Sequence, residues 1–206
     1  MAEAAHLPLS YPDTGVVERD SLAEQSDALA RTLPARPLVL GGCCCSHVGA
    51  VRGLVERGGR LGIVWLDAHG DLNTPESSPS GNAWGMPLRM ILDDGLVETA
   101  DVALVGTRNL DPPEVAYLAD TGIDASLDRA LDGVDRVYVA LDADVLDPGE
   151  ADVFMPEPGG LSVEAAESLL RELAGRTSIA GMGLTGLTAA PENVPVMTLL
   201  LAAAGL

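Results

Sequence analysis

The sequence predicts one α/β domain spanning residues 1–206, a three-layer α/β/α sandwich around a mainly parallel sheet. Three observations predict it. The chain has 206 residues, a length that suits a single domain. Short, continuously apolar runs stand at 37–42, 61–67, 101–107, 136–142 and 178–184, and such runs fit strands covered on both faces. Helical patterns separate them, and strand–helix alternation places helices on both sides of a parallel sheet.

The elements follow in order. Residues 1–20 read as irregular, with Pro8, Pro12 and Gly15, and His6 there has no assigned role. Ser21 is placed to cap a helix running to about Leu33. The strand at 37–42 ends in Gly41-Gly42 and leads to a helix at 47–58. The strand at 61–67 opens into a stretch without regular structure, 67–83, before a helix at 84–95. After 101–107 comes a helical region, 111–132, broken near Gly122. The strand at 136–142 opens into a second long loop, 143–160. Ser162 caps an amphipathic helix to 175, carrying Leu169, Leu170 and Leu173. A strand at 178–184 precedes a last helix near 192–204, which Glu192 reads as capping. Both long loops directly follow strands, where open α/β sheets place their sites.

Composition narrows the partners. Lys and Arg number 12 against 31 Asp and Glu, a net charge of −19. Such a surface repels phosphate backbones and anionic lipid heads, so neither nucleic acid nor membrane is an expected partner. Aromatic residues are 3% of the chain, too few for base-stacking platforms. No apolar run reaches the ~18–20 residues of a membrane span, and residues 1–10 lack a secretory signal pattern. The expected location is cytoplasmic. Three contiguous cysteines, Cys43, Cys44 and Cys45, build no disulfide framework.

Two clusters carry the chemistry. Asp67, His69 and Asp71 follow one apolar strand in the pattern D-x-H-x-D; Asp142 and Asp144 follow another as D-x-D. Alternation in an extended segment puts each set on one side of its chain. Carboxylates brought to contact either take up protons or bind a cation. A mostly oxygen donor set with one imidazole suits Mn²⁺, and less specifically Zn²⁺, Fe²⁺ or Co²⁺. A lone D-x-D says little in a chain with 31 acidic residues; the matched pair of clusters carries the reading.

The sequence resembles the arginase/agmatinase (ureohydrolase) superfamily. The resemblance rests on Gly41-Gly42, DAHGDLNTP at 67–75, SGN at 80–82 with Gly85, Gly106-Thr107-Arg108 to Asp111-Pro112, DADVLDP at 142–148, and Gly159-Gly160-Leu161. These occur in the family's order over most of 37–190; the leading strand and loops are missing or much shorter. The resemblance implies an arginase-like sandwich holding two divalent metal ions, manganese first. Asp67, His69, Asp71, Asp142 and Asp144 would be ligands, with Asp67 and Asp142 bridging. It implies hydrolysis of a linear C–N bond in an amidine or guanidine group by a hydroxide shared between the metals. Asn73 and Ser80 match residues that hold a substrate α-carboxylate, and Asp111 one that contacts the α-amino group. The implied partner is a small, amino-acid-like substrate. Family members form trimers or hexamers, so a homo-oligomer is implied as well.

Three departures qualify that picture. Cys44 takes the place of the family's first histidine ligand. A thiolate ligand there would favour Zn²⁺ or Fe²⁺ over Mn²⁺. His47, three residues on, shares a helical face with Cys44 and is the alternative ligand, while small buried cysteines would otherwise simply pack a helix start. Trp84 replaces a histidine thought to shuttle protons, which an indole cannot do. Gly186 falls near the place of the glutamate that binds guanidinium, and a buried guanidinium without a carboxylate is penalised. The expected substrate is therefore less basic than arginine: a hydroxyguanidino, formimino or ureido amino acid. The alternative is a non-catalytic relative acting as a binding or regulatory subunit. A phosphatase or nuclease reading is weak, because no basic residues cluster near the motifs. Arg108 reads either as orienting a site carboxylate or as a surface residue.

Overall fold

The computed structural model describes residues 7–12 and 15–206. His6 lies outside the described residues. The strands are β1 (Leu38–Leu40), β2 (Leu61–Leu66), β3 (Val102–Val105), β4 (Arg136–Asp142) and β5 (Ser178–Thr185). They form one sheet in the order β1-β5-β4-β2-β3, with every pairing parallel. The helices are α1 (Leu22–Thr32), α2 (Ser46–Val55), α3 (Pro87–Asp93), α4 (Pro112–Thr121), α5 (Leu127–Ala130), α6 (Val163–Arg176) and α7 (Asn193–Ala203). No helix among the described residues is long and apolar enough to cross a membrane.

The expected caps form. The Ser21 hydroxyl accepts from the Glu24 amide at 3.2 Å, and the Ser162 hydroxyl from the Ala165 amide at 3.1 Å. Gly122, at φ 72°, closes α4 where the break was expected. Other boundaries shift for local reasons. α2 stops at Val55, ahead of Gly58 and Gly59, both at positive φ. The helix expected from 84 starts as a 3-10 turn over Ala83–Gly85, and α3 begins at Pro87, whose fixed φ suits a first helical position. Glu192 precedes α7 but makes no capping bond. Asn193 secures that turn instead, accepting from the Asp152 amide and donating to the Asp152 and Thr188 carbonyls.

Strand alternation divides the core between the two faces of the sheet. Val64, Leu66, Val137, Val139 and Leu141 face Leu170 and Leu173 of α6 and Met197 and Leu200 of α7. Ile63, Trp65, Tyr138 and Ala140 face Val48, Val51 and Leu54 of α2 and Leu88 and Ile91 of α3. Burial of both faces is why these strands read as unbroken apolar runs.

The strand order creates the site. The chain leaving β2 goes to β3 on one side, and the chain leaving β4 goes to β5 on the other. The connections diverge and leave a crevice at the C-terminal ends of β2 and β4. Leu66 pairs with Leu141, and Asp142 with Thr185. Asp67 and Asp142 therefore emerge side by side at the mouth of that crevice.

Candidate metal centre

Two triads meet at one aspartate. Cys44, Asp67 and Asp142 form one, and Asp67, His69 and Asp144 the other; within each, the donor atoms lie within 4.8 Å of one another. His69 Nδ1 is 3.1 Å from Asp144 Oδ2 and 3.4 Å from Asp67 Oδ1. The Cys44 thiol donates to Asp142 Oδ2 at 2.9 Å and lies 3.9 Å from Asp67 Oδ2. Asp67, Asp71, Asp142 and Asp144 are all buried.

The backbone holds these carboxylates in place. The Trp65 indole donates to Asp67 Oδ2 at 3.2 Å, and the His69 amide to Asp67 Oδ1 at 2.7 Å. The Ala68 and Asp144 amides donate to Asp144 Oδ1 and Asp142 Oδ1, each at 3.0 Å. The clustering does not come from the extended alternation expected from the sequence. Ala68 and His69 form a bend, and Asp144 sits in a 3-10 turn, Ala143–Val145. Asp71 is the one non-glycine described residue at positive φ, 53°. That left-handed conformation is uncommon outside glycine, asparagine and aspartate.

Electrostatics make the cluster expensive by itself. Burial, then the charges of neighbouring aspartates, pushes the Asp67 and Asp71 carboxyls well above the ordinary range. Burial, then Asp144, pushes Asp142 up to about 6. Hydrogen bonds to Asp144 and Asp67 push His69 up to about 11. Asp71 Oδ2 is buried and accepts from no described residue. An orphaned carboxylate oxygen beside more acids is what a divalent cation relieves, and a donor set of carboxylates, one imidazole and one thiol fits such an ion. The residues present can hold metal.

The structure separates the two ligand alternatives at the start of α2. Cys44 is at the cluster. His47 is fully buried, with Nδ1 2.9 Å from the Tyr138 hydroxyl and its ring edge-on to Trp65. Burial lowers its pKa to about 3, so the ring is neutral; it belongs to neither donor triad, and its Nε2 lies 3.4 Å from the Thr185 hydroxyl that contacts Cys44 and Asp142. At the end of β5, Gly186 is at φ 70°, and a Cβ there would lie 2.0 Å from Asp142 Oδ1, so a side chain at this position would have to displace Asp142. The side chain entering the site is that of Thr185, whose hydroxyl donates to Asp142 Oδ2 at 3.0 Å and lies 3.2 Å from Cys44 Sγ. A threonine ending an apolar strand gives no sequence signal of this.

The other candidates lie around the cluster. Asn73 is buried and donates to Asp111 Oδ2 at 2.8 Å, which couples two of the three proposed substrate contacts. Ser80 is exposed, and its hydroxyl accepts from the Asn82 amide within its own turn. Trp84 is half-buried in the 3-10 turn before α3. Arg108 neither sits free on the surface nor orients a carboxylate. Its guanidinium donates to the carbonyls of Gly106, Asp144, Glu157 and Pro158, tying the turn after β3 to both ends of the loop after β4. Sequence reasoning missed Glu157 and Asn109 at the rim. Asn109 Nδ2 donates to Glu157 Oε1 at 2.9 Å, and that oxygen is 3.7 Å from His69 Nε2.

Fold and site together define a parallel α/β protein with an acidic, metal-competent cluster at its topological switch point. The sequence model of the arginase family matches residues 3–204, and the chain belongs to that family. It is 36% identical to an arginase of Staphylococcus aureus over 142 residues, 55% of this chain and 47% of that one. The chain thus spans about half the length of the curated relatives it matches first. Among solved structures it superposes on arginase from Bacillus cereus with a TM-score of 0.79 at 30% identity, covering 87% of this chain and 77% of that one. Arginase from Bacillus caldovelox gives 0.80 at 27%, covering 94% and 82%.

Proposed function

We propose that the protein is a metal-dependent hydrolase of a linear C–N bond in an amidine- or guanidine-type group on a small, amino-acid-like molecule. The observation that carries the reading is the pair of donor triads sharing Asp67 in the crevice between β2 and β4. Cys44, Asp67, Asp71 and Asp142 would hold one divalent ion, and Asp67, His69, Asp142 and Asp144 a second. Bound there, such ions would supply Lewis acidity and a water acidified toward neutrality. The chain's own residues do the rest. Trp65 and the amides of Ala68, His69 and Asp144 fix the carboxylates before any substrate arrives, so little reorganisation remains. Asn73, Asp111 and Ser80 are the proposed contacts for the α-carboxylate and α-amino groups. The first two already share a hydrogen bond.

Gly186 sets the expected substrate class. By the family resemblance it stands, without a carboxylate, where a guanidinium would need one. A hydroxyguanidino, formimino or ureido group, less basic than guanidinium, suits that position. Trp84 favours a second reading, a non-catalytic binding or regulatory subunit, since its indole can relay no proton. One experiment separates these. Protein loaded with Mn²⁺ or Zn²⁺ is assayed against arginine and against hydroxyguanidino, formimino and ureido amino acids. Turnover of one of the latter above arginine supports the proposal. Arginine turning over as fast as any of them removes the substrate assignment. Loaded protein that turns over none favours the binding subunit.

A further inference from the structure

The two halves of the cluster differ in donor chemistry. The triad of Asp67, His69 and Asp144 offers oxygen and imidazole. The triad of Cys44, Asp67 and Asp142 offers a sulfur, and Cys44 is buried at 6% exposure with its thiol directed at Asp142 Oδ2, 2.9 Å away. The sulfur is not alone there. Asp71 is 4% exposed, with an orphaned Oδ2 and the strained backbone already described. The Thr185 hydroxyl lies 3.2 Å from the sulfur. Cys43 and Cys45 belong to neither triad.

We infer that the centre is asymmetric: Cys44 is a thiolate ligand that makes its half of the site select a soft, tetrahedral-tolerant ion such as Zn²⁺ over Mn²⁺ more strongly than the His69 half does. The inference rests on the metal-hydrolase reading and specifies which of its two ions is held by sulfur. Thiolate selects zinc and iron, whereas carboxylate oxygens also suit manganese, so the preference for zinc is steeper where the sulfur sits. Zinc also accepts mixed sulfur, nitrogen and oxygen sets at low coordination number. Entry of the ion replaces the thiol proton, which is released to solvent.

Cobalt(II) reports this directly, because a cobalt–thiolate bond gives a strong charge-transfer band in the near ultraviolet that oxygen and nitrogen donors do not. The metal-free full chain is titrated with Co²⁺, alongside Cys44→Ser, Cys44→His and His69→Ala, each checked for folding by circular dichroism. The expected result is the band in the wild type and in His69→Ala, and its loss in both Cys44 variants. Cys44→His still binds two ions, which shows that the loss is not unfolding. When zinc-loaded wild type is equilibrated against rising Mn²⁺, one zinc per chain should exchange at a clearly lower Mn²⁺ excess than the other. In Cys44→His the zinc-to-manganese preference should fall by roughly tenfold or more. Two cobalt ions bound without the band would overturn the thiolate assignment and leave the hydrolase reading standing. No cobalt, zinc or manganese bound at all would overturn both.

Discussion

Asp71 concentrates the tension in the site. Its backbone is in the left-handed region, its side chain is buried, and one oxygen has no partner among the described residues. Asparagine tolerates the same backbone, so Asp71→Asn removes the charge with little added strain. Without metal this variant should be more stable than the wild type near neutral pH, because it removes a carboxyl whose ionisation is opposed by burial and by the neighbouring aspartates. With metal the order should reverse. Thermal unfolding with and without Mn²⁺ checks both; a variant less stable in the metal-free state would mean Asp71 has a structural partner. Asp142 gives the pH dependence. Its folded pKa, about 6, lies above the ordinary 3.8, so it contributes stability that is full below about pH 4 and is lost as pH rises through about 6. Asp142→Asn has no such loss. In metal-free protein the gap between variant and wild type should widen in the variant's favour by up to ~3 kcal/mol from about pH 4 to about pH 7. A gap independent of pH would show that Asp142 titrates normally. Gly186→Ala should act oppositely to both, because its Cβ would strike Asp142 Oδ1 at a φ that already disfavours alanine. It should lose bound metal and stability together, read by elemental analysis and unfolding.

At the scale of elements, the site depends on loops held by bonds that no motif announces. Arg108 links the turn after β3, the 3-10 turn after β4 and the carbonyls of Glu157 and Pro158. Arg108→Lys keeps the charge but loses the planar fork that reaches several carbonyls at once. Hydrogen exchange should quicken in the loop up to Gly160 while β4 and α6 stay protected; uniform protection throughout would relieve Arg108 of this role. The sheet itself was legible in the sequence because strands buried on both faces are long apolar words between turns. The acidic side chains were legible because D-x-H-x-D and D-x-D stand directly at the ends of those words. Their geometry was not. The left-handed backbone at Asp71 and the 3-10 turn at Asp144 leave no mark in the spacing, and the bond from the Ala68 amide to Asp144 Oδ1 forms only once β2 and β4 pair. His47 was ambiguous by spacing alone; the fold packs it between Tyr138 and Trp65, one side chain behind the triads, with Thr185 between its Nε2 and Cys44. Thr185 was hidden because a hydroxyl at a strand end looks the same whether it faces solvent or a carboxylate. Glu157 reaches His69 across a loop whose path follows from the Arg108 bonds, which are long-range.

For the whole molecule, the two-triad layout makes metal binding and folding one equilibrium. The buried carboxylates oppose folding until a cation joins them, so the fold should be markedly firmer loaded than bare. An ion present at ~100 times its dissociation constant adds ~2.7 kcal/mol. Two such ions add ~5 kcal/mol, or roughly 10–20 °C in Tm for a chain of this size. The variants discriminate more sharply than the size of the shift. Asp144 belongs to one triad only, and Asp67 to both. Asp144→Asn should therefore lose about half of the metal-induced increase in Tm and about one ion per chain. Asp67→Asn should lose nearly all of the increase and both ions, although each is a single substitution of the same size and charge. Equal losses from the two variants would mean that the triads are not joined through Asp67, and a Tm unmoved by any divalent ion would mean that the cluster holds protons rather than metal.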